Sequence, residues 1–114
     1  MKYALLVYED ESNYGGDKSG AAVEGLVGKH MAFSQEMGTK RLGGQGLKPV
    51  TTATTVRTAG GKKTVHDGPF AETKEQLGGF YLVEAANLDE AIEMAKKVPL
   101  MKDGSIEVRP VMGP

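Results

Sequence analysis

Two short segments of the chain are apolar on both of their alternating faces, and this feature limits the fold most strongly. In residues 2–8 the alternating sets are Tyr3, Leu5 and Val7 on one side and Ala4, Leu6 and Tyr8 on the other. Residues 80–83 show the same two-sided apolar character. Successive side chains of a strand point to opposite faces of a sheet. We therefore expect both faces of these strands to be covered.

Periodicity predicts a helix over residues 19–37 and a second one over residues 88–98. One side of the first helix carries Val23, Leu26, Val27, His30, Phe33, Ser34 and Met37. Asn87 has the chemistry of an N-cap for the second helix, and Glu90 completes a pattern like a capping box. Pro99 is expected to end that helix.

Further strands are predicted between and after the helices. The expected ranges are 41–51 with a break at a glycine turn, 52–58 with a short partner through His66, 79–84 and 105–111. The order strand, helix, strands, helix, strand is typical of the split βαβ arrangement. The predicted fold class is therefore α+β and ferredoxin-like, of the βαββαβ type.

The 114 residues are close to the commonest domain size, so we expect one domain over residues 1–114. Two helices can cover only one face of the predicted sheet. The other apolar face needs a partner, and we expect a second copy of the chain to cover it through a two-fold interface. The sequence therefore predicts a homodimer.

Charge and composition exclude several classes of function. The formal net charge is −1, and short basic pairs such as Lys62–Lys63 and Lys96–Lys97 are well separated, so no nucleic-acid partner is expected. The apolar runs are far too short to cross a bilayer, and no signal-peptide pattern is seen, so no membrane partner is expected. The chain has no cysteine, which excludes disulfides and thiolate chemistry and suits a cytoplasmic protein.

Two motifs invite a ligand interpretation that the sequence does not favour. Gly43-Gly44-Gln45-Gly46 lacks the Lys-Ser/Thr ending of a phosphate loop, and no helix is predicted after it, so a turn or bulge is expected. His30 and His66 do not have the spacing of metal ligands. We expect neither a metal site nor a cofactor.

His30 and Asp67 are the candidate catalytic residues. Burial among apolar side chains would lower the pKa of His30 and favour its neutral, basic form, while a carboxylate partner would raise that pKa and orient the ring. The alternative is a structural histidine that is hydrogen-bonded to backbone. Asp67 either forms an Asx turn ahead of Gly68 and Pro69 or lies at a pocket rim beside His30. Both alternatives stay open for each residue.

The candidate substrate-binding residues are Arg41, Arg109 and Glu72. An arginine that faces a pocket can bind a small anionic molecule with two parallel hydrogen bonds. The alternative is that the arginines are edge-strand residues and that Glu72 is a solvated surface charge.

Residues 67–79, which begin Asp67-Gly68-Pro69-Phe70, resemble the signature of the DGPF-domain, or YCII-related, proteins. Residues 2–8, 52–57 and 104–112 resemble that family too. The resemblance covers nearly the whole chain. It implies a ferredoxin-like fold that dimerises through its sheets, which is called a dimeric α/β barrel.

The resemblance also implies a function. Related proteins are thought to place a His and an Asp together as an acid–base pair, and some relatives are similar to dehydrochlorinases of aromatic degradation. His30 and Asp67 match these positions. The leading hypothesis is an enzyme of proton transfer, such as elimination or isomerisation next to a carbonyl. Family members often lie near genes of extracytoplasmic-function sigma factors, so the alternative is a non-catalytic ligand-binding or interaction dimer that is linked to transcriptional regulation.

Overall fold

The computed structural model describes residues 1–15 and 20–113. Its strands and helices are β1 (Lys2–Glu9), α1 (Ala21–Met37), β2 (Arg41–Gly46), β3 (Thr54–Ala59), β4 (Lys62–Asp67), β5 (Gln76–Glu84), α2 (Leu88–Lys97) and β6 (Gly104–Pro110). Short 3₁₀ helices span Glu11–Tyr14, Gly38–Lys40 and Val50–Thr52. The predicted order of elements is confirmed. The predicted start of the first helix at Ser19 lies outside the described residues.

Four strands form the main sheet in the order β2-β5-β1-β6, and every neighbouring pair is antiparallel. This order, with one helix after β1 and one after β5, is compatible with the predicted ferredoxin-like α+β fold. Among the described residues, strands β3 and β4 pair only with each other and form a hairpin. Along the chain, this hairpin lies between β2 and β5.

The two helices cover one face of the main sheet. On that face Tyr3, Leu5 and Val7 of β1 and Tyr81 and Val83 of β5 are buried. They share one core with residues of both helices, which are Phe33, Met37, Ala91, Met94 and Ala95. The residues that alternate with them in β1 are only half-buried, and Phe80 in β5 is exposed. The other sheet face, which we call the open face, is therefore apolar and not covered by a helix.

Helix α2 begins as its sequence predicts. Asn87 Oδ1 accepts a hydrogen bond from the Glu90 backbone N–H at 2.9 Å, and the Glu90 carboxylate accepts one from the Ala86 N–H at 3.3 Å. These bonds satisfy N–H groups that have no partner inside the helix. The helix ends at Lys97, two residues before Pro99, which has no N–H to continue it.

The glycine-rich segment is part of a strand, which corrects the prediction that a turn interrupts it. Strand β2 runs through Gly43, Gly44 and Gly46, with a bulge between Arg41 and Gly43. A Cβ on Gly44 would lie 2.7 Å from Tyr81 Cδ1, a distance that real Cβ atoms do not adopt. Gly44 is thus required because β2 approaches the Tyr81 ring closely. The bulge lies ahead of the glycine motif, and residues 43–46 themselves pair regularly with β5.

One copy of the chain is flat. Its extents are 42 × 40 × 20 Å and its radius of gyration is 15.6 Å, whereas a compact chain of this length has a radius of gyration of about 13 Å. The hairpin of β3 and β4 contributes to this shape, since nearly all of its residues are exposed.

Within the described residues, no helix is long and apolar enough to cross a membrane.

Candidate functional site

A cavity of about 610 Å³ lies between α1 and the β2–β5 side of the sheet. Its apolar lining includes Val7, Val23, Leu26, Val27, Met31 and Leu47, and its polar lining includes Tyr14, His30, Ser34, Arg41 and Tyr81. Val27 and Met31 are exposed, so the cavity opens to solvent. Cavities of this size that are mainly apolar and hold a few polar groups are typical binding sites for small molecules.

His30 and Tyr81 are directly hydrogen-bonded in this cavity. His30 Nδ1 lies 2.7 Å from the Tyr81 hydroxyl oxygen, and the two rings stack at 22° with centroids 5.9 Å apart. Phe33, one turn along α1, packs edge-on against the same tyrosine ring with a centroid distance of 4.8 Å. Two aromatic contacts and a hydrogen bond therefore fix the position of the Tyr81 ring.

The charge states of both residues depend on their burial. Burial lowers the pKa of His30, as the sequence predicts, while the negative charge of Glu9 and the acceptor carbonyl of Pro99 act to raise it. Burial raises the pKa of Tyr81, against the opposing effects of the Ser34 hydroxyl and the positive charge of Arg41. Both effects favour the neutral forms, so the pair consists of an imidazole and a phenol near neutral pH.

Arg41 brings a positive charge close to the Tyr81 ring. Its guanidinium carbon lies 5.5 Å from the ring centroid, and its Nη2 donates a hydrogen bond to the Gly44 carbonyl at 3.2 Å. Arg41 Nε is buried and has no hydrogen-bond partner in the described part of the chain. No carboxylate among residues 1–15 and 20–113 forms an ion pair with Arg41. The positive charge of Arg41 is therefore not compensated by a described carboxylate, which favours an anionic ligand in the cavity.

Glu9 is the carboxylate whose charge acts on His30. It is a buried charged residue, with 5% of its surface exposed, at the end of β1. Its carboxylate accepts hydrogen bonds from the Tyr14 hydroxyl at 2.7 Å and from the Met101 backbone N–H at 3.0 Å. Burial and this bond to Glu9 raise the pKa of Tyr14, so Tyr14 stays a neutral donor. These contacts hold a buried carboxylate in place near the imidazole.

The structure brings only some of the predicted site residues together. His30 and Arg41 line the cavity. Asp67 lies on the exposed hairpin, Glu72 lies in the exposed segment that follows it, and Arg109 lies on the open face of the sheet. None of these three lines the cavity of its own chain. In the described ranges, no cluster of three or more His, Asp or Glu residues could hold a metal ion.

The family model of the YCII-related domain matches residues 1–113. The chain belongs to the YCII-related domain family. A protein of Rhizobium meliloti (strain 1021) is 39% identical over 117 residues, which cover 97% of this chain and 92% of that protein. That relative is described as uncharacterized.

Sequence reasoning did not find Glu9, Tyr14 or Tyr81 in this YCII-related chain. Glu9 continues the alternating set of Tyr3, Leu5 and Val7, so its position predicts a side chain on the covered face. An acidic residue at such a position indicates a buried carboxylate that needs hydrogen-bond partners. Tyr81 lies within an apolar run and carries a hydroxyl on its ring, which indicates a buried hydroxyl that needs a hydrogen-bond partner. No such signal marks Tyr14.

Proposed function

We propose that this chain is an enzyme that transfers protons on a small anionic molecule, as in elimination or isomerisation next to a carbonyl or carboxylate. The observation that carries this proposal is one cavity that contains a neutral His30–Tyr81 pair and an Arg41 side chain that forms no ion pair with a described carboxylate. Perturbed titratable groups in a mainly apolar cavity are typical of catalytic sites.

The proposed chemistry assigns one task to each group. Arg41 binds the carboxylate of the substrate, or the enolate that forms when a neighbouring carbon loses its proton. The His30–Tyr81 pair takes that proton, since a neutral imidazole with a pKa near or below neutrality acts as a base at physiological pH. The apolar side chains of the cavity favour an aromatic or aliphatic body on the substrate.

The roles predicted for Asp67, Arg109 and Glu72 stay predictions. Asp67 pairs with Thr54 in the hairpin and has no described contact with His30. A role for Asp67 beside His30 would therefore require the hairpin of a second copy to reach the cavity. Arg109 and Glu72 would need the same approach to contact a substrate that is bound by Arg41.

We further propose that two copies pair through their open faces, in the manner of a dimeric α/β barrel, in the cytoplasm. The flat shape of one copy and its large radius of gyration support the dimer, because pairing would bury the half-exposed Leu6, Leu82 and Phe80. The absence of cysteine is what favours the cytoplasm.

Phenylpyruvate is a suitable probe for the enzyme proposal, since it combines an apolar ring, a carboxylate and an acidic C–H next to a ketone. Exchange of its methylene protons in D₂O can be followed by proton NMR against the rate in buffer. We expect the wild-type protein to accelerate exchange. His30→Gln should reduce the acceleration by a hundredfold or more, on the order of what general bases contribute.

The anion-binding role of Arg41 is tested with benzoate by isothermal titration calorimetry. Arg41→Gln should weaken binding by about tenfold or more, because a charge-assisted hydrogen bond is worth about 1.5–3 kcal/mol. Arg57→Gln is the matched control, since Arg57 lies on the hairpin against Phe70. Binding without any catalysed exchange would favour the non-catalytic ligand-binding alternative. Neither binding nor exchange would overturn the proposed function.

A further inference from the structure

The hydrogen bond between His30 and Tyr81 can run in either direction, and the direction decides which residue faces the substrate. The hydroxyl can donate to Nδ1, or a protonated Nδ1 can donate to the hydroxyl oxygen. In neutral imidazole only one ring nitrogen carries a proton. The direction therefore decides which ring nitrogen carries the proton and which one is the base.

The acidity of the two possible donors decides the direction. A phenol O–H is a stronger acid than the N–H of a neutral imidazole, so the phenol is the better donor and the imidazole nitrogen the better acceptor. The Tyr81 hydroxyl therefore donates to Nδ1, and the proton of the neutral ring lies on Nε2. The one basic lone pair of the ring is thus occupied by Tyr81, and a substrate proton reaches it through that hydroxyl.

We propose that the Tyr81 hydroxyl is the catalytic group that touches the substrate, and that His30 acts through it as a positioning and proton-accepting residue. This inference rests on the proposed function and names the residue in it that contacts the reacting atom. The Tyr81 oxygen keeps a lone pair for the substrate C–H while its own proton points to Nδ1. Arg41, which lies against the same ring, is near enough to hold the anionic part of the substrate.

The proton transfer balances as follows. Tyr81 takes the proton from the substrate carbon as its own hydroxyl proton passes to Nδ1, which gives an imidazolium and leaves the phenol neutral. The electron pair of the broken C–H bond moves onto the substrate carbonyl as an enolate beside Arg41. Return of a proton to another carbon completes an isomerisation, and departure of a leaving group with its electron pair completes an elimination.

The charged and titratable groups around His30 suit this relay. The negative charge of Glu9, from β1, acts to raise the pKa of His30 and so favours the imidazolium, while Tyr14, from the 3₁₀ helix, holds the Glu9 carboxylate by a hydrogen bond. Arg41, from β2, faces the tyrosine and favours negative charge on its oxygen. These two charges act against the larger effect of burial, which favours the neutral forms of both residues. The relay fits that balance because it leaves Tyr81 neutral and places the new positive charge on His30, which the negative charge of Glu9 favours.

The decisive experiment combines histidine tautomers with exchange rates. Long-range proton–nitrogen NMR spectra of ¹⁵N-histidine-labelled protein distinguish the Nε2–H from the Nδ1–H form. We expect neutral His30 to be the Nε2–H tautomer, and Tyr81→Phe to move the Nδ1 resonance because the donor is lost. His66, on the hairpin, is the internal reference in the same spectrum and should not change.

Tyr81→Phe should also reduce phenylpyruvate exchange by a hundredfold or more while benzoate binding, held by Arg41, changes less than threefold. Tyr8→Phe, on the open face, is the matched control and should leave both unchanged. An Nδ1–H tautomer would overturn the inference, even if no ligand binds. Exchange that survives Tyr81→Phe and fails in His30→Gln would also overturn it, and would leave the proposed function intact with His30 as the direct base.

Discussion

The two faces of β1 and β5 have similar sequences and opposite surroundings. Leu5 is fully buried against the helices, and its neighbour Leu6 is only half-buried on the open face. In β5, Tyr81 is 7% exposed whereas Phe80 is 38% exposed. The same alternation of apolar residues therefore gives a closed core on one side and an apolar surface on the other.

The two faces also differ in the burial of their polar side chains. The covered face places Glu9, His30 and Tyr81 in and beside an apolar cavity, where burial changes the pKa of His30 and of Tyr81. On the open face, polar residues such as Glu107 and Arg109 lie on the edge strand β6 and are exposed. The helices therefore enclose the cavity and its titratable groups on one face, whereas the open face keeps an uncovered apolar surface.

The largest expected effect is a difference in the free energy of unfolding between a substitution on the covered face and one on the open face. Leu5→Ala should lower the free energy of unfolding by about 3–5 kcal/mol at every protein concentration, since it leaves a cavity in the core. Leu6→Ala should cost much less in dilute protein. Its main effect should be to reduce the rise of the urea midpoint with protein concentration that a dimer shows. Equal costs with midpoints independent of concentration would contradict pairing through the open face.

The second prediction compares two carboxylates, one buried beside the cavity and one on the hairpin. Glu9→Gln keeps the shape of the side chain and removes the charge that raises the pKa of His30, so that pKa should fall. Asp67→Asn should leave it unchanged, because Asp67 does not line the cavity. NMR titration of His30 measures both. A fall in the pKa of His30 with Asp67→Asn would show that the predicted His30–Asp67 pair forms after all, across two copies.

The smallest expected effect is a pH dependence of the free energy of unfolding that arises from His30 on the covered side. Burial lowers the pKa of His30 below its ordinary value of 6.5, so the unfolded chain binds more protons at that residue. The free energy of unfolding should hold its full His30 contribution above pH 6.5 and lose it as pH falls through the lowered pKa. Urea unfolding between pH 5 and 7 should show this slope in the wild type. His30→Gln should flatten it, and an unchanged slope would contradict the burial effect.

Local patterns in the sequence predicted most of the secondary structure. The alternation in residues 2–8 predicted β1, and Asn87 with Glu90 predicted the start of α2, because these signals depend only on nearby residues. The apolar side of α1 likewise placed His30 in a desolvated site, and the lowered pKa followed from that position. The sequence predicted a strand over residues 41–51 but placed a glycine turn in it. The structure continues β2 through Gly44, because that glycine lies close against the Tyr81 ring, which is far away in the sequence.

By itself, the sequence determined the strands and helices, the two-sided apolar character of β1 and β5, and the burial of one histidine. Only the tertiary structure decided that His30 contacts Tyr81, that the charge of Glu9 acts on the same imidazole, and that Arg41 lies beside the Tyr81 ring in the same cavity. The physical reason is distance along the chain. Periodicity reports which face a side chain takes, whereas the partner it finds there depends on the strand order that brings β1, β2 and β5 together beneath α1.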